Sequence, residues 1–381
     1  LVEIPVVDTD GKIIAGHQRL KVLLALNRGE EMIDVRVPNR KLTDQEYEQY
    51  LISSNKLGGT WDTDKLKSFD VGMLLESGFE SIELSEFWDK ELEAKDDEFD
   101  VTEELEKIKE PKTKTGDIII LGKHRIICGD STDPKVVQKL CGNERVSMIY
   151  SDPVYNINID YNGGIGGKRS YGGTVCDSRG FDEYKDFLHK SMEAALAVSH
   201  EDTHVFYWCD QVYIGVIQEL YRKLGIENKR VCLWIKNSQN PTPGVAFNKC
   251  YEPCVYGVRN KPYLTDNINN NNEVVNRDMT TGNNLHDEID LWLTKRLSGK
   301  DMEHATSKPV SLHEKAIKRC TKLNDIILDS FLGSGSTLLA GEQLGRRVFG
   351  CEKEPIFCDL IIRRYLKLTG INPQVIRHEE K

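Results

Sequence analysis

Short apolar runs alternate with longer helical stretches over most of the second part of the chain. The runs Ile118–Leu121 and Ser147–Tyr150 have the length and apolar character of strands at the centre of a parallel sheet. Helices are predicted near 182–198 and 212–224. The remaining predicted elements are strands at His204–Trp208, Arg230–Ile235, Asp325–Leu328 and Arg347–Cys351, and helices at Val310–Thr321, Thr337–Leu344 and Ile356–Leu368. This alternation predicts a doubly wound α/β sheet from residue 116 to the end, 116–381.

The first 92 residues have a different pattern, typical of a small α+β domain. The predicted elements are strands at Val2–Val7, Lys12–Ala15 and Ile33–Val37, and helices at Arg19–Leu26, Asp44–Ser54 and Thr63–Ser77. The chain enters a strand-like stretch directly at Leu1, without a methionine, so we expect the true N-terminus to be missing. We see no signal peptide.

An acidic segment separates these two parts. Between Asp89 and Glu110 there are eleven acidic and four basic residues, which accounts for −7 of the net charge of −10. By composition, residues 93–115 are predicted to be a linker. Because the rest of the chain carries only about −3, the global charge does not exclude nucleic acid as a partner.

The alternating pattern fails between residues 260 and 303. This stretch is polar and contains the asparagine run Asn269–Asn272, so it is predicted to be an inserted loop region outside the core. Asn and Arg side chains suit the edges of adenine and guanine, which makes the insert a candidate for base readout. A run of asparagines is, however, more often simply a disordered loop.

Composition restricts the class of protein further. No run of about 18 apolar residues is present, so no membrane span is predicted and a cytoplasmic protein is expected. The ten cysteines are scattered without a C-x-x-C pair, and several lie in apolar runs. They are predicted to be small buried residues in a reducing compartment and not disulfide partners or zinc ligands, and no metal site is expected.

A glycine-rich turn is the sharpest local motif. The predicted strand ending at Leu328 continues as Asp329-Ser330-Phe331-Leu332-Gly333-Ser334-Gly335-Ser336-Thr337 and opens a helix. Glycines allow backbone N–H groups to approach a ligand, and a helix N-terminus favours a carboxylate or phosphate. The next strand ends in Glu352, where an acid grips a ribose diol in nucleotide-type α/β sites. Together the two features predict a site for an adenosine-containing ligand.

A second motif, Ser151-Asp152-Pro153-Val154-Tyr155, follows the strand Ser147–Tyr150. It resembles the Asp-Pro-Pro-Tyr signature of amino-group DNA methyltransferases that modify N6 of adenine or N4 of cytosine. The resemblance implies that Asp152 and the Pro153 carbonyl accept hydrogen bonds from the target amine, while Tyr155 stacks on the extruded base. Asp at this position leans toward adenine N6, since N4-cytosine enzymes more often carry Ser.

Further motifs occur in the order of the permuted, beta class of that family, in which the amino-group motif precedes the cofactor motif. Gly116–Ser131 resembles the first strand of that class, and His304–Pro309 resembles its His-Pro-Thr-x-Lys-Pro element. The resemblance covers about 116–370 and implies S-adenosyl-L-methionine, or a modified analogue, as the cofactor. It implies these cofactor-binding residues: Asp130, Ser131, Thr306, Lys308, Asp329, Phe331, Gly333, Ser334, Gly335, Ser336, Thr337 and Glu352.

The same resemblance implies double-stranded DNA as the partner. The glycine cluster 163–167 is predicted to be a lid that orders on DNA, with Lys168, Arg169 and Arg179 able to meet phosphates. Trp234–Asn237 and Tyr251–Pro253 resemble a strand pair that flanks the base pocket, and Lys236 in the first of them is expected to contact DNA. Dimerisation is common in this class, so a homodimer is an open expectation.

Two residues depart from the family pattern. Val154 stands where the signature has its second proline, which loosens the loop and adds an N–H donor, whereas Ala305 replaces a proline with an expected mild effect. We expect an active, slower enzyme. Two alternatives remain open: an inactive protein kept for DNA binding, and a pocket that admits a donor group larger than methyl.

The N-terminal part resembles a ParB-like domain of the kind fused to phage and bacterial methyltransferases. The resemblance rests on Ile14–Leu20, Asn55–Leu57 and Trp61-Asp62. The second arginine of the nucleotide-binding turn is replaced by Leu20, so the resemblance favours a DNA-binding or assembly accessory over nucleotide hydrolysis.

Overall fold

The computed structural model describes residues 4–56, 63–66, 69–158, 177–240, 249–265, 291–293 and 308–376. The chain divides into two compact units, 1–91 and 92–381. None of the described helices is long and apolar enough to cross a membrane.

The first unit contains a small two-stranded sheet and short helices. Its elements are β1 (Val6–Val7), β2 (Ile13–Ala15), α1 (His17–Ala25), α2 (Asp44–Asn55), α3 (Thr63–Leu66), α4 (Val71–Glu76) and α5 (Ser81–Trp88). β1 and β2 pair antiparallel, and Gly16, at φ 111°, precedes α1. The strand predicted at Ile33–Val37 is wrong, because only the isolated bridge from Val6 to Arg36 forms there.

The second unit carries the remaining elements. They are α6 (Val101–Glu106), β3 (Ile118–Leu121), β4 (His124–Cys128), α7 (Pro134–Cys141), β5 (Val146–Ser151), α8 (Phe181–Ala197), β6 (Ser199–Trp208), α9 (Ile214–Lys223), β7 (Glu227–Asn240), β8 (Lys249–Arg259), β9 (Leu291–Leu293), α10 (Glu314–Cys320), β10 (Ile326–Asp329), α11 (Ser336–Gln343), β11 (Arg347–Glu352), α12 (Pro355–Thr369) and β12 (Gln374–Ile376). Short 3-10 turns at Gln211–Tyr213 and Val310–His313 lead into α9 and α10.

The strands of the second unit form one mixed sheet. Within the described residues the order is β12-β3-β4-β11-β10-β5-β6-β8-β7-β9. The five central strands, from β4 to β6 in this order, are parallel to one another. Strand β3 pairs antiparallel with β4 on one side, and β8 pairs antiparallel with β6 on the other. Strand β9 lies in the predicted insert, and Trp292 of that strand is buried in the core, so the insert is not entirely loop.

Apolar cores lie on both faces of this sheet. Successive residues of β5 alternate between them: Met148 and Tyr150 belong to one core and Ile149 to the other. The first core includes residues of α10, α11 and α12, and the second includes residues of α7, α8 and α9. Because the side chains of a strand alternate with a period of two, the two cores occupy opposite faces. The doubly wound α/β class is confirmed, with a mixed sheet in place of a parallel one.

The connections place a crevice between β10 and β5. The chain leaves β10 through α11 to reach β11 on one side, and it leaves β5 through α8 to reach β6 on the other. Connections that diverge in this way open a crevice at the carboxyl ends of the two strands, where α/β proteins bind ligands. Both sequence motifs begin there, the glycine-rich turn after β10 and Asp152 after β5.

From Leu92 onward the acidic segment belongs to the second unit and packs against the sheet domain of that unit. Its backbone donates from Ala94 to Glu314 at 2.7 Å, and from Thr113 to Asp359 at 3.1 Å. Leu105 and Ile108 are buried in a cluster with Leu360 of α12. Over 94–113 this segment is therefore a packed strap, because several of its polar and apolar groups are bound to the sheet domain.

Candidate active site

Asp152 stands at the mouth of the crevice, directly after β5. The parallel register aligns Ile149 with Leu328, so Asp152 emerges beside the first residues of the glycine-rich turn. Its side chain is 28% exposed, so one part of the carboxylate faces outward. Burial raises the pKa of Asp152 above its ordinary range, and the Lys308 ammonium opposes that shift.

Tyr155 and Glu252 surround this carboxylate. The Tyr155 hydroxyl lies 3.1 Å from Asp152 Oδ1 and 3.0 Å from Glu252 Oε2. Glu252 comes from β8, in the strand pair that the sequence comparison placed beside the base pocket. The aromatic ring and the acid of the second motif are therefore brought together.

Lys308 donates to the Asp152 carboxylate at 2.5 Å and to the Tyr155 hydroxyl at 2.9 Å. It also lies 3.5 Å from Glu252 Oε2, and its side chain is only 4% exposed. Burial alone would lower the pKa of Lys308, but Asp152 and Glu252 outweigh burial and raise it. We predicted Lys308 as a cofactor residue from sequence. Its contacts in the structure include Asp152, Tyr155 and Glu252.

Lys236, which was predicted to contact DNA, is paired with Glu252. The two side chains form an ion pair at 10% and 17% exposure, and the Lys236 ammonium lies 4.9 Å from the Trp234 ring centre. Burial works against the charge of Glu252, yet Lys308 and Lys236 hold its pKa at about 2. Two ammonium groups and two carboxylates thus form one compact network, so Lys236 is not a free cation for a phosphate.

The loop after Tyr155 is held by Asn156 and Asp177. Asn156 adopts a left-handed φ of 56°, which Asn tolerates better than most residues. Its N–H donates to the buried Asp177 carboxylate at 2.6 Å, and its side-chain oxygen accepts from the Arg179 N–H at 2.7 Å. On the other side, the Tyr184 hydroxyl donates to the Val154 carbonyl at 2.6 Å. Val154 is thus held by its neighbours although it lacks the rigidity of proline.

The glycine-rich turn has the backbone that its sequence predicts. Gly333 and Gly335 adopt φ of 52° and 84°, and Gly335 is the N-cap of α11. The Gly333 N–H donates to Glu352 Oε2 at 2.8 Å, so the acid at the end of β11 is tied to the turn. A second backbone N–H, from Glu354, reaches Glu352 Oε1 at 2.8 Å. The predicted turn and its downstream acid are one structural unit.

Two acids of this unit have strongly perturbed pKa values. Burial raises the pKa of Asp329 to about 7 and that of Glu352 to about 7, although backbone N–H groups partly oppose both shifts. Acids with such shifts in a crevice are candidates for ligand contact. A third acid, Asp130, follows β4, and Lys353 donates to it at 2.9 Å. Ser131 beside it is buried.

His313 connects the two motifs, and sequence analysis missed it. One ring nitrogen lies 2.9 Å from Ser336 Oγ, at the start of α11, and the other lies 3.1 Å from the Tyr150 hydroxyl on β5. Burial lowers the pKa of His313 to about 3, so the ring is neutral and has one donor and one acceptor. Nothing in the local sequence signals this bridge, because its partners lie 163 and 23 residues away.

The remaining predicted residues are distributed as follows. Phe331 packs 5.5 Å from Phe187, and the Arg179 guanidinium lies 4.5 Å from the same Phe187 ring. Thr337 is buried on α11. Thr306, Lys168 and Arg169, the glycine cluster and most of the insert lie outside the described residues. Among those that are described, no group of three or more His, Cys, Asp or Glu could hold a metal ion.

Comparisons with known proteins identify the family of the chain. A family model described as DNA methylase, of the N6/N4 class, matches residues 146–363, more than half of the chain. The match contains both motifs.

Individual relatives are more distant. The type II methyltransferase M.HinfI of Haemophilus influenzae is 27% identical over 261 residues, which cover 62% of this chain and 67% of the relative. The type II methyltransferase M2.DpnII of Streptococcus pneumoniae is 27% identical over 257 residues, covering 65% and 89%. The crystal structure of the M1.HpyAVI–SAM complex is 19% identical with a TM-score of 0.44, and covers 63% of this chain and 98% of that one.

Proposed function

Since this chain belongs to the DNA methylase family of the N6/N4 class, we propose that it transfers a methyl group from S-adenosyl-L-methionine to N6 of adenine in double-stranded DNA. The observation that carries the proposal is the juxtaposition in the crevice. The amine-binding Asp152 and the glycine-rich turn follow neighbouring parallel strands, β5 and β10.

The charges around the turn favour this cofactor. Asp130, Asp329 and Glu352 follow or end three neighbouring parallel strands, β4, β10 and β11. Carboxylates accept hydrogen bonds from hydroxyl and amino groups and attract cations, whereas they repel a polyphosphate. S-adenosyl-L-methionine has ribose hydroxyls, an ammonium and a sulfonium, and it supplies the methyl group when it is bound. The residues present therefore fit the ribose, the ammonium and the sulfonium of this ligand.

The residues of the second motif would prepare the amine. The Asp152 carboxylate and the Pro153 carbonyl accept its two N–H bonds, which directs the nitrogen lone pair away from them and toward the turn. Tyr155 stacks on the base once it has left the helix. Lys308 and the Tyr155 hydroxyl hold Asp152 in place by hydrogen bonds. No covalent enzyme–base adduct is required because the amine itself is the nucleophile.

The choice of adenine rests on Asp152 in place of Ser in the family signature. Nucleoside mass spectrometry of DNA incubated with the protein and S-adenosyl-L-methionine tests it. We expect N6-methyladenine, absent with Asp152→Ala. N4-methylcytosine would show that the acceptor is cytosine and not adenine. A modification heavier than methyl would show that the donor is a modified S-adenosyl-L-methionine. Unmodified DNA, with the cofactor still bound by the protein, would support a regulatory protein.

For the N-terminal unit we propose a ParB-like accessory that binds DNA. The proposal rests on the resemblance of the Gly-x-x-Arg turn Gly16–Arg19, where the φ of 111° and the approach of Pro5 exclude a side chain at Gly16. We expect Arg19→Ala to weaken binding of long DNA while transfer to a short duplex stays unchanged. Equal binding of long DNA by Arg19→Ala and by the unsubstituted protein would contradict a DNA-binding role of the N-terminal unit.

A further inference from the structure

An arginine of α12 joins the acidic strap to the glycine-rich turn. Arg364 is 4% exposed and donates to both oxygens of Asp97, at 2.7 and 2.6 Å. Its remaining terminal nitrogen donates to the Ser334 carbonyl at 2.9 Å and lies 3.3 Å from Ser334 Oγ. One guanidinium therefore bridges residues 97 and 334.

We propose that Asp97 is a positioning residue for cofactor binding: it holds Arg364 in the orientation that fixes the Ser334 carbonyl in the turn. The inference rests on the proposed function, because it assumes that S-adenosyl-L-methionine binds at this turn.

The geometry explains why the strap carboxylate is needed. A guanidinium keeps its charge at any ordinary pH, so a buried Arg364 without Asp97 must move toward water or find another anion. Either movement removes a donor from the Ser334 carbonyl. That carbonyl belongs to the peptide that joins Ser334 to Gly335. Gly335 has a left-handed φ of 84° and is the N-cap of α11. A rotation of this peptide would break the bond from the Gly335 N–H to the Leu332 carbonyl, at 2.9 Å, and so change the shape of the turn at which the ligand binds.

The strap is held firmly enough to act as a support. Asp96, next to Asp97, accepts from the Ser311 N–H and hydroxyl, both at 3.0 Å. At the far end, Asp359 accepts from the Lys112 N–H at 2.6 Å and from the Thr113 hydroxyl at 2.5 Å. Asp97 is therefore fixed between two anchored stretches, and its carboxylate reaches Arg364 without any need to order a free chain.

Binding of S-adenosylhomocysteine, which has no methyl group to transfer, tests the proposal by titration calorimetry on the full chain. We expect Asp97→Asn to raise the Kd about tenfold, the size of a typical coupling between two sites. Arg364→Lys keeps a cation beside Asp97 but lacks the fork that spans both partners, so the same rise is expected. Asp359→Asn is the matched control. It removes a buried carboxylate that anchors the same strap but does not reach the turn, and its Kd should stay within about twofold.

The outcomes separate this inference from the proposed function. If the unsubstituted protein does not bind the probe, the proposed function fails. If it binds, and Asp97→Asn or Arg364→Lys binds equally well, the positioning role of Asp97 is wrong. A rise of the same factor in Asp359→Asn would also overturn it, because the effect would then be general destabilisation. With saturating cofactor, kcat of Asp97→Asn should remain within about twofold, and a large fall in kcat alone would contradict a role in cofactor binding.

Discussion

Replacing Lys308 by Met should change the pH dependence of transfer. Lys308 donates to Asp152 at 2.5 Å and lies 3.5 Å from Glu252, and it is 4% exposed. Methionine has similar length but no charge, so the substitution leaves two carboxylates facing each other. An opposite charge at such a distance lowers the pKa of a carboxyl by about 1–3. Its loss should raise the pKa of Asp152 by that amount, added to the rise that burial already causes.

The consequence for the reaction has a definite sign. In the proposed mechanism Asp152 accepts a hydrogen bond from the target amine, and its ionised carboxylate is a stronger acceptor than its protonated carboxyl. Transfer should therefore fall as the pH drops through the pKa of Asp152, and each further pH unit should cost about tenfold. In Lys308→Met the acid limb of the single-turnover rate should move upward by about 1–3 pH units, with partial recovery at alkaline pH. Folding should also lose stability, by up to about 3–5 kcal/mol for a broken buried pair.

The assay is the single-turnover rate of methyl transfer between about pH 5 and 9, with saturating cofactor and DNA. Lys308→Arg is the control, because it keeps the charge and should leave the acid limb in place. An identical acid limb in Lys308→Met and the unsubstituted protein would refute the reasoning, as would a loss of rate that is independent of pH.

Three further predictions concern other parts of the site. Tyr155→Phe keeps the ring and loses the hydroxyl bonded to Asp152, whereas Tyr155→Ala also loses stacking worth about 1–3 kcal/mol. The alanine variant should therefore show the larger rise in KM for DNA. Equal KM values in the two variants would exclude stacking of Tyr155 on the base. In the proposed site the Glu352 carboxylate accepts the ribose hydroxyls. Burial raises the pKa of Glu352 to about 7, so this carboxylate becomes protonated below that pH. Cofactor affinity should therefore weaken by up to about tenfold per pH unit below 7. In Glu352→Gln the cofactor Kd should depend less on pH. A steep pH dependence of the Kd in that variant would show that another group is responsible. Gly335→Ala places a Cβ at φ 84° and 3.1 Å from Ile361, so it should lower the free energy of unfolding by about 1–2 kcal/mol and weaken cofactor binding. Gly225→Ala, at φ 72° in open space, should lose similar stability with unchanged cofactor affinity.

The central sheet could be predicted because its strands and helices have local signals. The apolar run Ser147–Tyr150 and the glycine-rich turn after Leu328 carry their structure within a few residues. Both motifs could be read from the sequence, but their meeting in one crevice follows from the observed pairing of β5 with β10. The family match then confirmed the amino-group DNA methylase class.

The sequence did not reveal which long-range contacts connect these pieces. Lys308 reaches Asp152 across 156 residues, and Arg364 reaches Asp97 across 267. The acidic strap was predicted to be a linker from its composition. Composition shows that the segment is acidic, but it does not show that Arg364 binds one of these acids. Lys236 was predicted to contact DNA from the resemblance of Trp234–Asn237, which does not show that Glu252 on the paired strand β8 forms an ion pair with it.

The most direct test of the account is transfer from S-adenosyl-L-methionine that carries a deuterated methyl group. DNA incubated with the unsubstituted protein should yield N6-methyladenine that carries the whole label. Asp152→Asn should bind the cofactor with unchanged Kd and yield none. Labelled product from Asp152→Asn at the full rate, or no label in DNA from the unsubstituted protein despite bound cofactor, would contradict the claim that the crevice between β10 and β5 is a methyl-transfer site.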